Sequence, residues 1–393
     1  MSQHLNEERH QLADALGRYL EREHRIPASG VAQSELPLSE RGSAHWASFA
    51  DFGLLGLSVD ERLGGIYDDP LSVYVVMEQF GRHRVCEPYI STVVQGARIL
   101  AAAAGDEKSC AKVWLDRVLE KHAQLAIAHC EPQTDSCLHN VQTCAEQLSD
   151  GWRLSGHKVF VTHAAAADIW LVLARTRGHT LEKDGLSLFA VDPQAPGIRS
   201  RHYRNLDGAP AAEIGFDDVH VPAESLIGPA HQAWHTFAQA CARANAALCA
   251  EAVGIMSVVV EMTADYAKVR KQFGVAIGSF QSIQHRLVDM YMQLEKSRSL
   301  ALRASAVADN QEGDEFLTAT AAAKVICCQS ARFINQSAIQ LHGGIGMTDE
   351  LPLGQYVKRL MVIAQTLGDE QYHLQQFVHL TQAPCASERA PSH

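Results

Sequence analysis

The chain has 393 residues and a formal net charge of −11, with 47% hydrophobic and 20% charged residues. That is the balance of a soluble globular protein long enough for two or three domains, without the basic block that neutralises nucleic-acid phosphates. No run of about 18 uncharged apolar residues marks a membrane span, and Met1–His10 lacks the apolar core of a secretory signal, so a cytoplasmic protein is expected.

Ten cysteines are scattered along the chain. None forms a C-x-x-C pair or a Cys/His cluster with zinc spacing, so no metal site is expected. Free thiols in a reducing compartment fit the pattern. Cys327-Cys328 falls in a helical run and reads as core.

Asn6–Arg25 carries Leu12, Leu16, Tyr19 and Leu20 near helical spacing on a charged background, which predicts an amphipathic helix. Ser43–Phe52 reads likewise until Gly53-Leu54-Leu55-Gly56-Leu57 breaks it, and Gly64-Gly65 marks a turn. Leu71–Gly81, Tyr89–Ala104 and Ala111–His122 are further helical patterns. From Ala123 to Gly228 the texture changes to short alternating or β-branched runs: Gln124–His129, Trp152–Leu154, Lys158–Thr162, Ile169–Ala174, Leu186–Val191 and Ala212–Phe216. Turn residues separate them, and strands at this spacing predict a small β-barrel or sandwich. After Gly228-Pro229 helices return at Trp234–Val269, Ile277–Glu312, Glu315–Leu341, Gly354–Gln365 and Glu370–Leu380, joined by short connections as in a bundle. The expectation is an α+β chain: an N-terminal helical domain (1–122), a middle β domain (123–228), a C-terminal helical bundle (229–381) and a flexible tail (382–393).

Two stretches stand out. Gln340–Glu350, Q-L-H-G-G-I-G-M-T-D-E, places Gly343, Gly344 and Gly346 within four positions at the end of an Ala-rich helical run. Such a run stops a helix and lets the backbone approach a flat or anionic group closely; a plain glycine C-cap is the alternative. Upstream lies Arg270-Lys271-Gln272-Phe273-Gly274, followed by Phe280-Gln281-Ser282-Ile283-Gln284.

Together the two stretches resemble the FAD-binding signatures of the acyl-CoA dehydrogenase superfamily. Further pieces follow in family order: Trp46–Leu57 with Gly64-Gly65, then Gly151–Thr162, Ala167–Arg175 and Phe216–Pro222. The resemblance spans essentially the whole chain and implies the family's three-domain plan. It also implies FAD as cofactor and an acyl-CoA substrate losing an α-proton to a carboxylate and a β-hydride to the flavin. A tetramer and an electron-transfer flavoprotein as acceptor are implied as well. Arg270, Gln272 and Phe273 would meet the FAD of a neighbouring subunit, Arg270 lying against the pyrophosphate, where a permanently charged, two-pronged donor suits phosphate oxygens. Gln340, Gly343 and Gly344 would cradle the same region from the other subunit. Phe160 and Thr162 fall where the family packs and hydrogen-bonds the isoalloxazine; for Phe160 a plain strand-core aromatic is the alternative. Cys130 stands where a threonine is usual.

Three departures from the family pattern are visible. The usual E-P-x-A-G-S-D turn is replaced by Glu131-Pro132-Gln133-Thr134-Asp135-Ser136. The common place of the catalytic glutamate holds Leu367, followed by Gly368-Asp369-Glu370. The earlier place some members use holds Ala244, followed by Asn245. Two substitutes are open. Glu251 lies seven residues beyond Ala244, about 10 Å along a helix, where burial would raise its pKa; a structural pairing with Arg or His is its alternative. Asp369, with Glu370, follows the empty place directly; a solvated helix start is its alternative.

Glu131–Leu138, Cys249–Met256 and Arg359–His373 resemble a subgroup, the small subunits of pimeloyl-CoA-type dehydrogenases and steroid-catabolic partners. That resemblance implies a heterotetramer with a second acyl-CoA dehydrogenase-like chain that carries the glutamate, in fatty acid or steroid catabolism. Other readings stay open: a self-sufficient homotetramer using Glu251 or Asp369, a non-catalytic flavin-binding or structural homologue, and a flavin oxidase or monooxygenase.

Overall fold

The computed structural model describes residues 6–24, 43–106, 108–310, 313–348 and 350–382. From residue 383 on, the expected tail lies outside them. The described helices are α1 (Glu7–Glu23), α2 (Ser43–Asp51), α3 (Pro70–His83), α4 (Ile90–Ala103), α5 (Cys110–Lys121), α6 (Ala233–Val269), α7 (Gln281–Asn310), α8 (Asp314–His342), α9 (Leu353–Gln365) and α10 (Glu370–Gln382). The strands are β1 (Leu125–Ala128), β2 (Cys144–Gln147), β3 (Gly151–Thr162), β4 (Ile169–Arg175), β5 (Leu186–Val191), β6 (Ile198–Arg204), β7 (Pro210–Pro222) and β8 (Leu226–Ile227), with a two-stranded hairpin at Lys271–Gln272 and Val275–Ala276. The helix–strand–helix order is the expected one. By contacts the described residues form two compact units, one drawn from 43–73 and 85–244, the other from 6–24, 74–84 and 245–382.

In the first unit the helix ends carry the chemistry that stops them. Ser109 caps α5 by accepting from Lys112 N at 3.2 Å, which satisfies one of the orphan donors of the first turn. His122 ends it in the left-handed region at φ 58°, and its carbonyl accepts from Trp46 Nε1 at 2.8 Å. Helix α4 opens as a π-helix over Ile90–Ala97. Thr92 in that stretch ties it to the sheet, its Oγ1 accepting from Leu125 N at 2.9 Å and donating to Leu125 O at 3.2 Å.

The strands join in one eight-stranded sheet of order β6-β7-β3-β2-β4-β5-β8, with β1 parallel on β4. Trp152, Leu154, Trp170, Phe189 and Phe216 come from four strands and share one buried core, so the sheet wraps around its own apolar face. The two runs read separately as Trp152–Leu154 and Lys158–Thr162 are a single strand, β3, paired with β7. Its register shifts between Leu154 and Gly156 and again between Lys158 and Val161, and these irregularities hid its continuity. Strands β2 and β6 went unread for another reason. Both lie largely exposed, so their polar sequences CAEQ and IRSRHYR show no apolar alternation.

In the second unit, α7–α10 accompany the greater part of α6. The most apolar window of α6 is long and apolar enough to cross a membrane, with hydropathy 1.6, yet 78% of it is buried inside the protein, as befits a core helix. The reason the burial is tight is backbone-to-backbone contact. A Cβ on Gly254 would stand 2.0 Å from the carbonyl oxygen of Glu78, and one on Gly81 would stand 2.1 Å from that of Glu251. Glycines at both sides of the crossing let α3 and α6 approach closer than side chains would permit.

Candidate functional site

The first unit holds Cys130, Phe160 and Thr162, with Cys130 beside a buried ion pair whose lysine lies on the same strand, β3, as Phe160 and Thr162. Lys158 Nζ donates to Glu131 Oε1 at 2.6 Å, with side-chain exposures of 0% and 2%. Glu131 also accepts from Gln142 N at 2.7 Å, Thr143 N at 3.1 Å and Gln133 Nε2 at 2.6 Å. Burial alone pushes the Glu131 carboxyl up, but the Lys158 ammonium and these N–H donors reverse it and leave it lowered. Such a carboxylate, charged and fully bonded, fixes the loop that departs from the family turn. Lys158 also donates to His129 O at 3.2 Å, and Val159 N donates to Cys130 O at 2.8 Å. The start of the loop and the β3 irregularity are therefore one construction.

Phe160 sits in that irregularity at φ +56°, left-handed for a bulky aromatic, and is half-buried. Backbone of this kind persists where surroundings over-determine it, and clusters at ligand sites. Thr162 pairs with Ala211 on β7. Cys130 is half-buried, and burial pushes its thiol up, which favours the neutral thiol over the thiolate.

The second unit presents the remaining predicted contacts. Arg270 follows α6, and Gln272 belongs to the small hairpin that carries Phe273. All three are exposed, Phe273 at 92%, its ring edge-on to Phe280 at 6.2 Å. An aromatic this bare on a two-stranded hairpin points to a surface another molecule covers. Gln340 is exposed near the end of α8. Gly343 (φ +64°) and Gly344 follow, and a Cβ on either would meet nothing within 4 Å. Behind them His342 is buried, stacked on Tyr266 at 4.5 Å, with Tyr266 Oη donating to His342 O at 3.3 Å. The glycines are thus an open backbone shelf on a rigid aromatic base. That shelf and the exposed guanidinium fit a dinucleotide's phosphates.

The residue after the first empty place, Asn245, meets the second, Leu367, within the second unit. Asn245, next to the fully buried Ala244, donates from Nδ2 to Leu367 O at 3.1 Å. Lys324, itself fully buried, donates to Asn245 Oδ1 at 3.1 Å and to the carbonyls of Ile363 and Thr366 at 2.8 Å each. Burial pushes the Lys324 ammonium down. His373 Nε2 also bonds Leu367 O, at 3.1 Å; a carbonyl only accepts, so this nitrogen carries the proton. Burial pushes this imidazole down to about 3.

Neither substitute carboxylate stands open. Glu251 is buried, and Arg359 donates to both its oxygens, Nε at 2.5 Å and Nη2 at 2.8 Å. That is the geometry of the structural alternative, a buried carboxylate held on both oxygens by one guanidinium. Asp369 caps α10, accepting from Tyr372 N at 2.8 Å, and the neighbouring Glu370 bonds Arg332 and Gln329. Lys158, Lys324 and His373 were not picked out from the sequence. The only signal for Lys324 was a lone lysine in the apolar stretch Ala321–Cys328 of its helix.

The acyl-CoA dehydrogenase family models match the chain in three parts: the N-terminal domain over residues 6–120, the middle domain over 126–219 and the C-terminal domain over 233–379. The human mitochondrial short-chain specific acyl-CoA dehydrogenase is 26% identical over 342 residues, 86% of this chain and 79% of that protein. The caffeyl-CoA reductase–Etf complex subunit CarC of Acetobacterium woodii is 28% identical over 326 residues, 82% of this chain and 85% of that one. The solved Tcur3481–Tcur3483 steroid ACAD superposes with a TM-score of 0.82 at 28% identity, covering 95% of this chain and 98% of that one. With its three domain models matched in order over nearly its whole length, the chain belongs to the acyl-CoA dehydrogenase family of oxidoreductases.

Proposed function

We propose that this chain is an FAD-binding subunit in the α,β-dehydrogenation of an acyl-CoA thioester, with the catalytic carboxylate supplied by a second dehydrogenase-like chain. The observation that carries the reading is the carboxylate-free junction of Asn245, Lys324 and Leu367, flanked by Glu251 and Asp369 that are already committed. FAD, when bound, supplies the acceptor for the substrate's β-hydride. This chain's residues hold and orient it: Arg270 and the Gly343-Gly344 shelf take the phosphates, Gln272, Phe273 and Gln340 border them, and Cys130, Phe160 and Thr162 meet the ring system. Because Glu251 and Asp369 are bonded elsewhere, the α-proton is left to a group on the partner chain.

The two-chain steroid ACAD among its likenesses supports a heteromeric assembly, a heterotetramer by the subgroup resemblance. The Etf-complex relative supports an electron-transfer flavoprotein as acceptor. The test is an anaerobic absorbance titration with acyl-CoAs from short linear to dicarboxyl and steroid-like esters. The chain alone is expected not to bleach its flavin, and to gain bleaching when co-expressed with a partner dehydrogenase chain. Bleaching by the chain alone would instead establish self-sufficiency, and Glu251→Gln and Asp369→Asn would then locate the base.

A further inference from the structure

Three side chains from three helices of one compact unit converge on a single turn. Asn245 comes from α6, Lys324 from α8 and His373 from α10, and their targets are the carbonyls of Ile363, Thr366 and Leu367. The turn needs holding. Leu367 sits at φ +56° and Gly368 at φ +101°, where a Cβ would stand 2.4 Å from the Tyr372 ring and 2.9 Å from His373 Nε2. Left-handed backbone is unfavourable at a leucine and survives only where its surroundings impose it.

Lys324 is an unusual agent for this. Its three protons go to three neutral oxygens, and no carboxylate is among its hydrogen-bond partners. The titratable and charged groups facing it are the thiols of Cys249, Cys327 and Cys328, the guanidinium of Arg359 and the imidazole of His373. Part of the cost of burying the ammonium is offset by the C-terminal carbonyls of α9, the negative end of that helix. An ammonium only donates, so it compels the Asn245 amide to turn its oxygen inward and its NH2 toward Leu367 O. The orientation of that amide is therefore fixed from both sides, by Lys324 at its oxygen and by Leu367 O at its NH2.

We propose that Lys324, acting through Asn245, is a positioning residue that sets the Thr366–Gly368 turn at the family's place for the proton acceptor, and that catalysis depends on this setting. The proposal rests on the reading that the chain takes part in a flavin-dependent acyl-CoA site. Asn245→Asp separates positioning from stability. A carboxylate keeps a partner for the ammonium, but it withdraws the donor from Leu367 O and sets an anionic oxygen against the negative end of that carbonyl dipole.

The assembled holoprotein, with its partner chain if one is required, is assayed with whichever acyl-CoA of the panel bleaches the wild type fastest. Asn245→Asp should leave the melting temperature unchanged or higher, while the bleaching rate falls about tenfold or more. Hydrogen exchange over residues 366–372 should quicken by about tenfold or more. Lys324→Met should lose both stability and rate. Wild-type exchange and rate in Asn245→Asp would overturn the proposal, as would a rate that falls only in step with melting temperature. If no acyl-CoA bleaches the wild type in any assembly, the functional reading fails, and hydrogen exchange still decides whether the turn is held as described.

Discussion

Lys158→Met tests the most deeply buried ion pair of the β domain. The substitution keeps the length of the stem and deletes a charge that donates at 2.6 Å to a carboxylate only 2% exposed. Breaking a buried pair by removing one partner costs about 3–5 kcal/mol, because the remaining charge stays buried. Glu131 would keep its donors at Gln142 N, Thr143 N and Gln133 Nε2, which places the loss near the lower end, about 3 kcal/mol. For a unit of this size that lowers the melting temperature by about 6–12 °C, read by calorimetry or circular dichroism. FAD affinity should fall with it, because Cys130 and the β3 irregularity are held through this pair. Adding Glu131→Gln should recover part of the loss, since the amide oxygen still accepts from backbone and no charge is left buried. A drop under about 2 °C, or a double variant whose loss is the sum of the two single ones, would refute the claim that the pair is a mutually dependent charge.

The other expectations are as follows. Gly254→Ala should cost about 3 kcal/mol or more, because its methyl would meet the Glu78 carbonyl oxygen at 2.0 Å; urea denaturation measures it, and a neutral result would mean that the α3–α6 crossing is looser than described. Glu251→Gln should destabilise by about 3 kcal/mol and lower turnover only in proportion, whereas full stability with lost turnover would return Glu251 to the role of base. His129 and His373 are held down to about 4 and about 3 by burial, against an ordinary 6.5. Their folded forms bind fewer protons than the unfolded chain, so the stability they contribute is intact above pH 6.5. It falls as pH drops below that, by about 1.4 kcal/mol per pH unit for each. Denaturant midpoints between pH 7 and 4.5 test this, and His129→Leu should reduce the slope by one proton. Arg270→Ala should weaken FAD binding about tenfold or more in the assembled protein, while leaving the melting temperature of the FAD-free chain unchanged; equal loss in both would make Arg270 structural.

The helices were legible because their apolar residues recur at helical spacing, and the three-part order followed from the shift in texture at Ala123 and Gly228. The residues assigned here to the flavin stood out for a different reason. Glycines at Gly343 and Gly344 and an arginine-phenylalanine pair at Arg270 and Phe273 stand in contiguous strings, and the chemistry of a phosphate shelf is written locally. Exposed strands were not legible, since β6 owes its pairing to β7 and has no buried face to pattern its sequence.

By itself the sequence determined that this chain is built on the acyl-CoA dehydrogenase plan and lacks a carboxylate at Ala244 and Leu367. It left Glu251 and Asp369 open as substitutes. Only the tertiary structure decided how those two are spent, one against Arg359 across 108 positions and one on the first turn of α10. Only the structure brought Asn245 to Leu367 across 122 positions and set Lys324 between α6 and α9. The physical reason is the range of the interactions. Periodicity, caps and glycine shelves depend on neighbours in the chain, whereas a buried charge takes its meaning from whatever packing places around it.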